Sequence, residues 1–186
     1  MEIEITEEKD DYIKAELTDS NEAVANSLRR AMTIKTPTLA IKNIEVTKND
    51  SGLFDEVLAN RIGQIPFTIP QGMEEDETVH IAIKQEGETA VTAEDITTDN
   101  TEAEPSQNAL LVRLNEDQEL ELEGKAELGY GDQHAKHQGG NIGYERTGEG
   151  EFEFRIESIS GYTNKELLQT AIKQIQKDLD DLEQAI

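Results

Sequence analysis

The sequence predicts an α+β chain, and three observations carry that prediction. Alternating apolar residues mark strands near both ends and through the middle, as in Ile3/Ile5, Leu110/Val112/Leu114 and Phe152/Phe154/Ile156. Helical periods appear in three other segments, each opened or closed by recognisable end signals. The order along the chain is strands and a helix, an acidic β-rich middle, then a strand and a helix again.

In order, Ile3 and Ile5 alternate with acids, and Tyr12, Ile13, Ala15 and Leu17 follow a polar turn at 7–11, which predicts a hairpin with one buried face. Asp19 stands three residues before Glu22 as a capping box, opening a helix with Val24, Leu28, Ala31 and Met32 on one side; Pro37 ends it. Leu39, Ile41, Ile44 and Val46 predict the next strand. A polar turn at 48–52 then leads into a helix whose stripe is Phe54, Val57, Leu58 and Ile62. From Gln71 to Asn108 acids dominate, Val79, Ile81 and Ile83 form the clear strand, and 99–107 reads as loop. Strands resume at Leu110–Leu114 and at Leu120, Leu122, Ala126 and Leu128, and run into a Gly-rich stretch from Gly129 to Gly150. After the strand at Phe152–Ile156, Thr163 and Glu166 form a capping box before a terminal helix with Leu168, Ile172, Ile175, Leu179, Leu182 and Ile186.

A chain of 186 residues suits one domain, or one domain carrying another within it. With 35% hydrophobic and 4% aromatic residues, its core must be built from Ile, Leu, Val and Ala. The 41 acidic side chains against 17 basic give a net charge of -24, a self-repulsion that destabilises the compact state at low salt. At molar salt the Debye length is about 3 Å, so the composition suits a salt-loaded cytoplasm such as that of a halophilic microbe. The same charge repels a phosphate backbone and argues against direct DNA binding. The absence of Cys excludes a disulfide framework, a thiolate nucleophile and an iron–sulfur cluster. With no membrane-length apolar run and no signal-peptide pattern at Met1-Glu2-Ile3-Glu4, the expected location is cytoplasmic.

Three features invite a functional reading beside a plainer one. The last helix carries its apolar residues at spacings of 4, 3, 4, 3 and 4, which suits a helix-to-helix partner seam and equally a helix packed on its own sheet. Arg29 and Arg30, off the first helix's apolar stripe, can fork onto carboxylates of a partner or neutralise acids within the fold. Asp132, His134 and His137 have the spacing of a metal or acid–base cluster, but no fourth ligand or general base is marked. A Walker loop and a nucleophile elbow are absent.

Four stretches, in order, carry a resemblance to a known family. Asn26-Ser27-Leu28-Arg29-Arg30-Ala31-Met32 precedes Pro37-Thr38-Leu39-Ala40-Ile41; Asn49-Asp50-Ser51 precedes Phe54-Asp55-Glu56-Val57-Leu58-Ala59-Asn60-Arg61-Ile62-Gly63-Gln64-Ile65-Pro66. Leu128-Gly129-Tyr130-Gly131 leads to His134-Ala135-Lys136, and Phe154-Arg155-Ile156-Glu157-Ser158 leads through a Gly to the amphipathic terminal helix. Together they resemble the D-type assembly subunits of archaeal DNA-directed RNA polymerase, a family related to the third-largest eukaryotic subunit and the bacterial alpha N-terminal domain. His137 and Gly139 stand where family members often have Trp and Pro. The short Gly-rich link from His137 to Gly150 replaces the Cys-rich ferredoxin-like insertion of many archaeal members, so the chain resembles a minimal version.

The resemblance implies an α+β fold in which residues 1–47 and 151–186 form a dimerisation domain of a sheet and two helices, and 48–150 form an inserted, mainly β domain. It implies a non-catalytic assembly subunit with no cofactor or metal. Its partners would be the small subunit L, the second-largest subunit, and the small subunits N and P. The implied interface residues are Val24, Leu28, Arg29, Arg30, Met32, His134, Lys136, Leu168, Ile172, Ile175, Leu179 and Leu182. The competing readings are a small acidic metal-dependent hydrolase using Asp132, His134 and His137, and a homodimeric scaffold unrelated to transcription.

Overall fold

The computed structural model describes residues 1–185. The elements run β1 (Glu2–Glu8), β2 (Ile13–Thr18), α1 (Glu22–Arg30), β3 (Thr38–Asn49), α2 (Asp55–Gly63), β4 (Pro66–Phe67) and β5 (Thr78–Glu86). They continue β6 (Thr89–Thr92), β7 (Thr97–Thr98), β8 (Leu110–Leu114), β9 (Glu119–Gly129), β10 (Gly140–Gly148), β11 (Glu151–Ser158) and α3 (Asn164–Gln184). This is the α+β architecture that the alternation and helical periods predict. The chain forms two compact units, an outer one of residues 1–37 and 130–186 and an inserted one of residues 38–129.

The outer unit is a four-stranded antiparallel sheet in the order β1-β2-β11-β10 with α1 and α3 on one face. Period-two side chains from the two central strands, Ile13, Ala15 and Leu17 with Phe152, Phe154 and Ile156, turn inward and meet Leu28, Met32, Leu167 and Leu168. The alternate residues form the other face. There Glu4, Glu16, Glu153 and Glu145 are direct cross-strand neighbours, a row of four carboxylates across four strands. Lys14 relieves one of them, donating to Glu153 at 2.7 Å.

The inserted unit pairs β4-β3-β9-β5-β7 in one sheet and β6-β8 in a second. Its core joins Val79, Ile81 and Ile83, Leu120 and Leu122, Leu111, Val112 and Leu114, and Leu58 and Ile62 from α2. Its first and last residues, Thr38 and Gly129, are cross-strand partners, so the unit enters and leaves the chain at one point.

The division at 37/38 and 129/130 differs from the 47/48 and 150/151 expected. The twelve-residue β3 belongs to the inserted sheet, ten of its residues pairing with β9 and two of those also with β4. The Gly-rich stretch, expected as a link, contributes the nine-residue edge strand β10, paired with β11 from Gly140↔Ser158 onward. Sparse side chains hide it, since Gly140, Gly143 and Gly148 leave too few apolar positions to show a period. Asp19 does not cap α1: it has φ 50, and Asn21 caps instead, accepting from the N–H groups of Ala23 at 3.0 Å and Val24 at 3.1 Å. The capping box of Thr163 and Glu166 is present as expected. In α2 the expected stripe splits, with Leu58 and Ile62 buried and Phe54 and Val57 exposed.

Candidate subunit interface

The residues expected at an interface all lie in the outer unit, and its structure sorts them by what they touch. On α1, Ala25 and Leu28 face the sheet while Asn26, Ser27 and Arg30 face outward. Five residues of π-helix, Ala31–Lys35, follow directly and bury Met32 completely. Thr36 closes this wider turn, its N–H and its hydroxyl both donating to the Ala31 carbonyl at 3.0 and 2.9 Å. Thr33 donates its hydroxyl back to the Arg29 carbonyl at 2.9 Å. The turn carries Lys35 to Asp178 on α3, whose carboxyl is held below its ordinary value first by the Lys35 hydrogen bond and then by Gln174.

The loop after β9 rests on that same turn. The Gly139 N–H donates to the Thr33 carbonyl at 3.1 Å, and a Cβ on Gly139 would stand 2.3 Å from the Met32 carbonyl oxygen. At Gly131 it would stand 2.7 Å from the Thr33 oxygen. The two glycines are therefore fixed by close backbone approach. Between them His134 is exposed, its Nδ1 accepting from the Lys136 N–H at 3.2 Å, while Lys136 is half-buried and His137 buried. Asp132 and His134 thus face solvent where His137 faces inward. Among the described residues no group of three carboxylates or imidazoles is placed to hold a metal.

On α3, Leu167, Leu168 and Ala171 are buried and Ile172 and Ile175 pack half-buried against the same core. Past Asp178 the helix continues with Leu179 at 60% and Leu182 at 63% exposure. Ile186, the last member of the expected stripe, lies outside the described residues. The single seam that the spacing suggests is therefore three zones. Leu28, Met32 and Leu168 belong to the chain's own core; Val24, Ile172 and Ile175 form its margin; Leu179 and Leu182 stand free of it.

Arg29 is half-buried and its guanidinium donates to Asn26 Oδ1 from Nη2 at 3.0 Å and from Nε at 3.3 Å. Arg30 is exposed. Among the described residues neither guanidinium lies within ion-pair distance of a carboxylate. A residue that the sequence does not single out is Tyr162. Its hydroxyl donates to the Pro37 carbonyl at 3.0 Å, pinning the exit of the outer unit, and burial pushes its pKa up to about 12. A lone Tyr before a capping box has no periodic signature that would reveal this.

Comparison with known proteins covers much of the chain. The family model described as the RNA polymerase Rpb3/RpoA insert domain matches residues 34–144, which contain the inserted unit. The DNA-directed RNA polymerase subunit Rpo3 of Natronomonas pharaonis is 45% identical over 124 residues, 66% of this chain and 50% of that protein. The Rpo3 subunit of Pyrococcus furiosus is 37% identical over 152 residues, covering 77% of this chain and 58% of the relative. For Methanocaldococcus jannaschii the identity is 32% over 149 residues, with 80% and 77% covered. The chain spans about half the length of the Natronomonas and Pyrococcus relatives.

Proposed function

Because this chain belongs to the family of the archaeal RNA polymerase subunit Rpo3, we propose that it is a non-catalytic assembly subunit of a DNA-directed RNA polymerase. On this reading it pairs with the small subunit L and forms the platform on which the large catalytic subunits are seated. The observation that carries the proposal is the overhanging end of α3. Leu179 and Leu182 remain apolar and exposed on a chain whose charge is -24, beyond the part of the helix that its own core needs.

The half-buried margin of Val24, Ile172 and Ile175 continues that surface back toward α1 and gives a partner helix a seam to follow. Arg29 and Arg30, free of intramolecular carboxylates, would meet acidic groups of the second-largest subunit, with His134 and Lys136 in the adjoining loop. The inserted unit would face the second-largest subunit and the small subunits N and P. Direct contact with DNA is not expected of so acidic a surface. Among the described residues no helix is long and apolar enough to cross a membrane, and the proposed location is the cytoplasm.

Co-expression with subunit L tests the reading. A one-to-one complex that then captures the second-largest subunit is expected, and a chain that stays monomeric beside subunit L would overturn the assignment.

A further inference from the structure

We infer that Phe54 is a docking anchor, presented on a preorganised loop to a partner surface that offers an apolar pocket rimmed by lysine or arginine. Phe54 is 80% exposed, and Val57, one turn further along α2, is 45% exposed. Both lie off the face that buries Leu58 and Ile62. Arg61 continues their stripe, its Nη1 donating to the Leu111 carbonyl at 2.8 Å, and beside that carbonyl Leu110 is 41% exposed. An apolar stripe of this kind contributes nothing to the core of the unit that carries it.

The backbone position of Phe54 sharpens the point. It is the N-cap residue of α2, with φ -68 and ψ 151, and makes no side-chain cap. Ser, Thr, Asp or Asn there would accept from the first-turn N–H groups, so the local rule for helix starts is broken by an exposed aromatic. The loop leading to it is nonetheless tightly built. Asn49 Oδ1 accepts from the Ser51 N–H at 3.1 Å and hydroxyl at 2.6 Å, while its Nδ2 donates to the Leu53 carbonyl at 2.9 Å and to Asp55 at 2.7 Å. Gln118 Nε2 donates to the Asp50 carbonyl at 2.6 Å, and the Asp50 N–H donates to the Glu119 carbonyl at 3.0 Å. The ring is held out on a scaffold whose ordering is complete before any partner arrives, which is how an anchor keeps its affinity.

Charge identifies the occupant. Asp55 and Glu56, exposed in the first turn of α2, flank the ring, and the one cation of the helix, Arg61, is turned to a carbonyl. The complementary surface is an apolar pocket edged by basic side chains, and it belongs to a protein partner. The inference rests on the assembly reading only for where that partner is found, namely the second-largest polymerase subunit.

Phe54→Ser supplies the missing cap, so the variant chain should melt no lower than wild type and should still hold subunit L. Titrated in molar KCl with the purified second-largest subunit, the variant complex with subunit L should bind at least about thirtyfold more weakly than wild type. Phe54→Leu, which keeps an apolar anchor, should lose less, and Val57→Ser should weaken binding in the same direction. Unchanged affinity in both serine variants overturns the anchor and leaves the assembly reading standing. Absence of wild-type binding to any polymerase subunit overturns that reading and this inference together.

Discussion

The outer unit carries 20 acidic and 11 basic side chains, and the inserted unit 21 and 6. By count the inserted unit should suffer more from its own charge, but on its sheet three lysines meet carboxylates, and its like-charge cross-strand partners, Glu45↔Glu123 and Glu86↔Glu119, stand as separate pairs and not as a continuous row. Lys42 meets Glu127 at 2.6 Å, Lys48 meets Glu119 at 2.7 Å and Lys84 meets Glu121 at 2.8 Å. The outer sheet instead sets Glu4, Glu16, Glu153 and Glu145 side by side, with one lysine in reach. Exposed ion pairs stabilise little, but like charges directly opposite one another on neighbouring strands, about 5 Å apart, are destabilising. Placement and not number decides which unit depends on salt.

The largest expected effect is on salt dependence. Raising KCl to molar levels should raise the melting temperature, and amide protection should rise more in β2 and β11 than in β3 and β9. Equal gains in both sheets would break the comparison. Each unit also has its own core, so Phe154→Ala should cost the outer unit and Phe67→Ala the inserted unit about 3–5 kcal/mol each, both residues being fully buried. Hydrogen exchange should find each loss confined to one unit.

Leu179→Asp combined with Leu182→Asp should leave the isolated chain within about 0.5 kcal/mol of wild type while weakening pairing with subunit L by about 2 kcal/mol or more. Calorimetry of the isolated chain and titration with subunit L separate the two quantities. Ile175, at the margin of the core, should show a cost in both when replaced by a charged residue.

Glu166→Gln should destabilise the outer unit by about 0.5–2 kcal/mol through the capping box. The Thr163 backbone and side-chain hydrogen bonds hold the Glu166 carboxyl below its ordinary value of 4.5. Its contribution is therefore present above that value and lost as pH falls through the lower folded pKa. The gap between wild type and variant should close on acidification, and a gap independent of pH would show that ionisation is not what the cap uses. Smallest on the fold, Arg29→Ala with Arg30→Ala should change stability by no more than about 0.5 kcal/mol. That variant should keep subunit L yet fail to capture the second-largest subunit in a pull-down.

Where side chains alternate or repeat, the fold is legible: the hairpin at Ile3–Leu17, the strand at Phe152–Ile156 and the Thr163 cap all follow from residue type and spacing. Short strands such as Thr89–Thr92 and Thr97–Thr98 offer too few apolar positions to read, and β10 has glycines where a period would need side chains. The interface set is legible only in part, because spacing along a helix does not say where the sheet beneath it stops. Leu168 and Leu179 belong to one stripe by sequence, but one is in the core and the other exposed. Phe54 shows the same limit, since an apolar residue on a helical period reads as inward-facing whichever way it points.

The pairing of Thr38 with Gly129 has a kinetic consequence. Strands β2 and β11 meet across the chain, with Lys14 bonded to Glu153 over a separation of 139 residues. Closing so long a loop in one step is slow. Once the inserted unit has folded, its two ends stand side by side and most of that loop is already shut, which lowers the remaining closure cost by about 1 kcal/mol. The inserted unit then acts as a clasp, and refolding should show its amides protected first and those of β2 and β11 later.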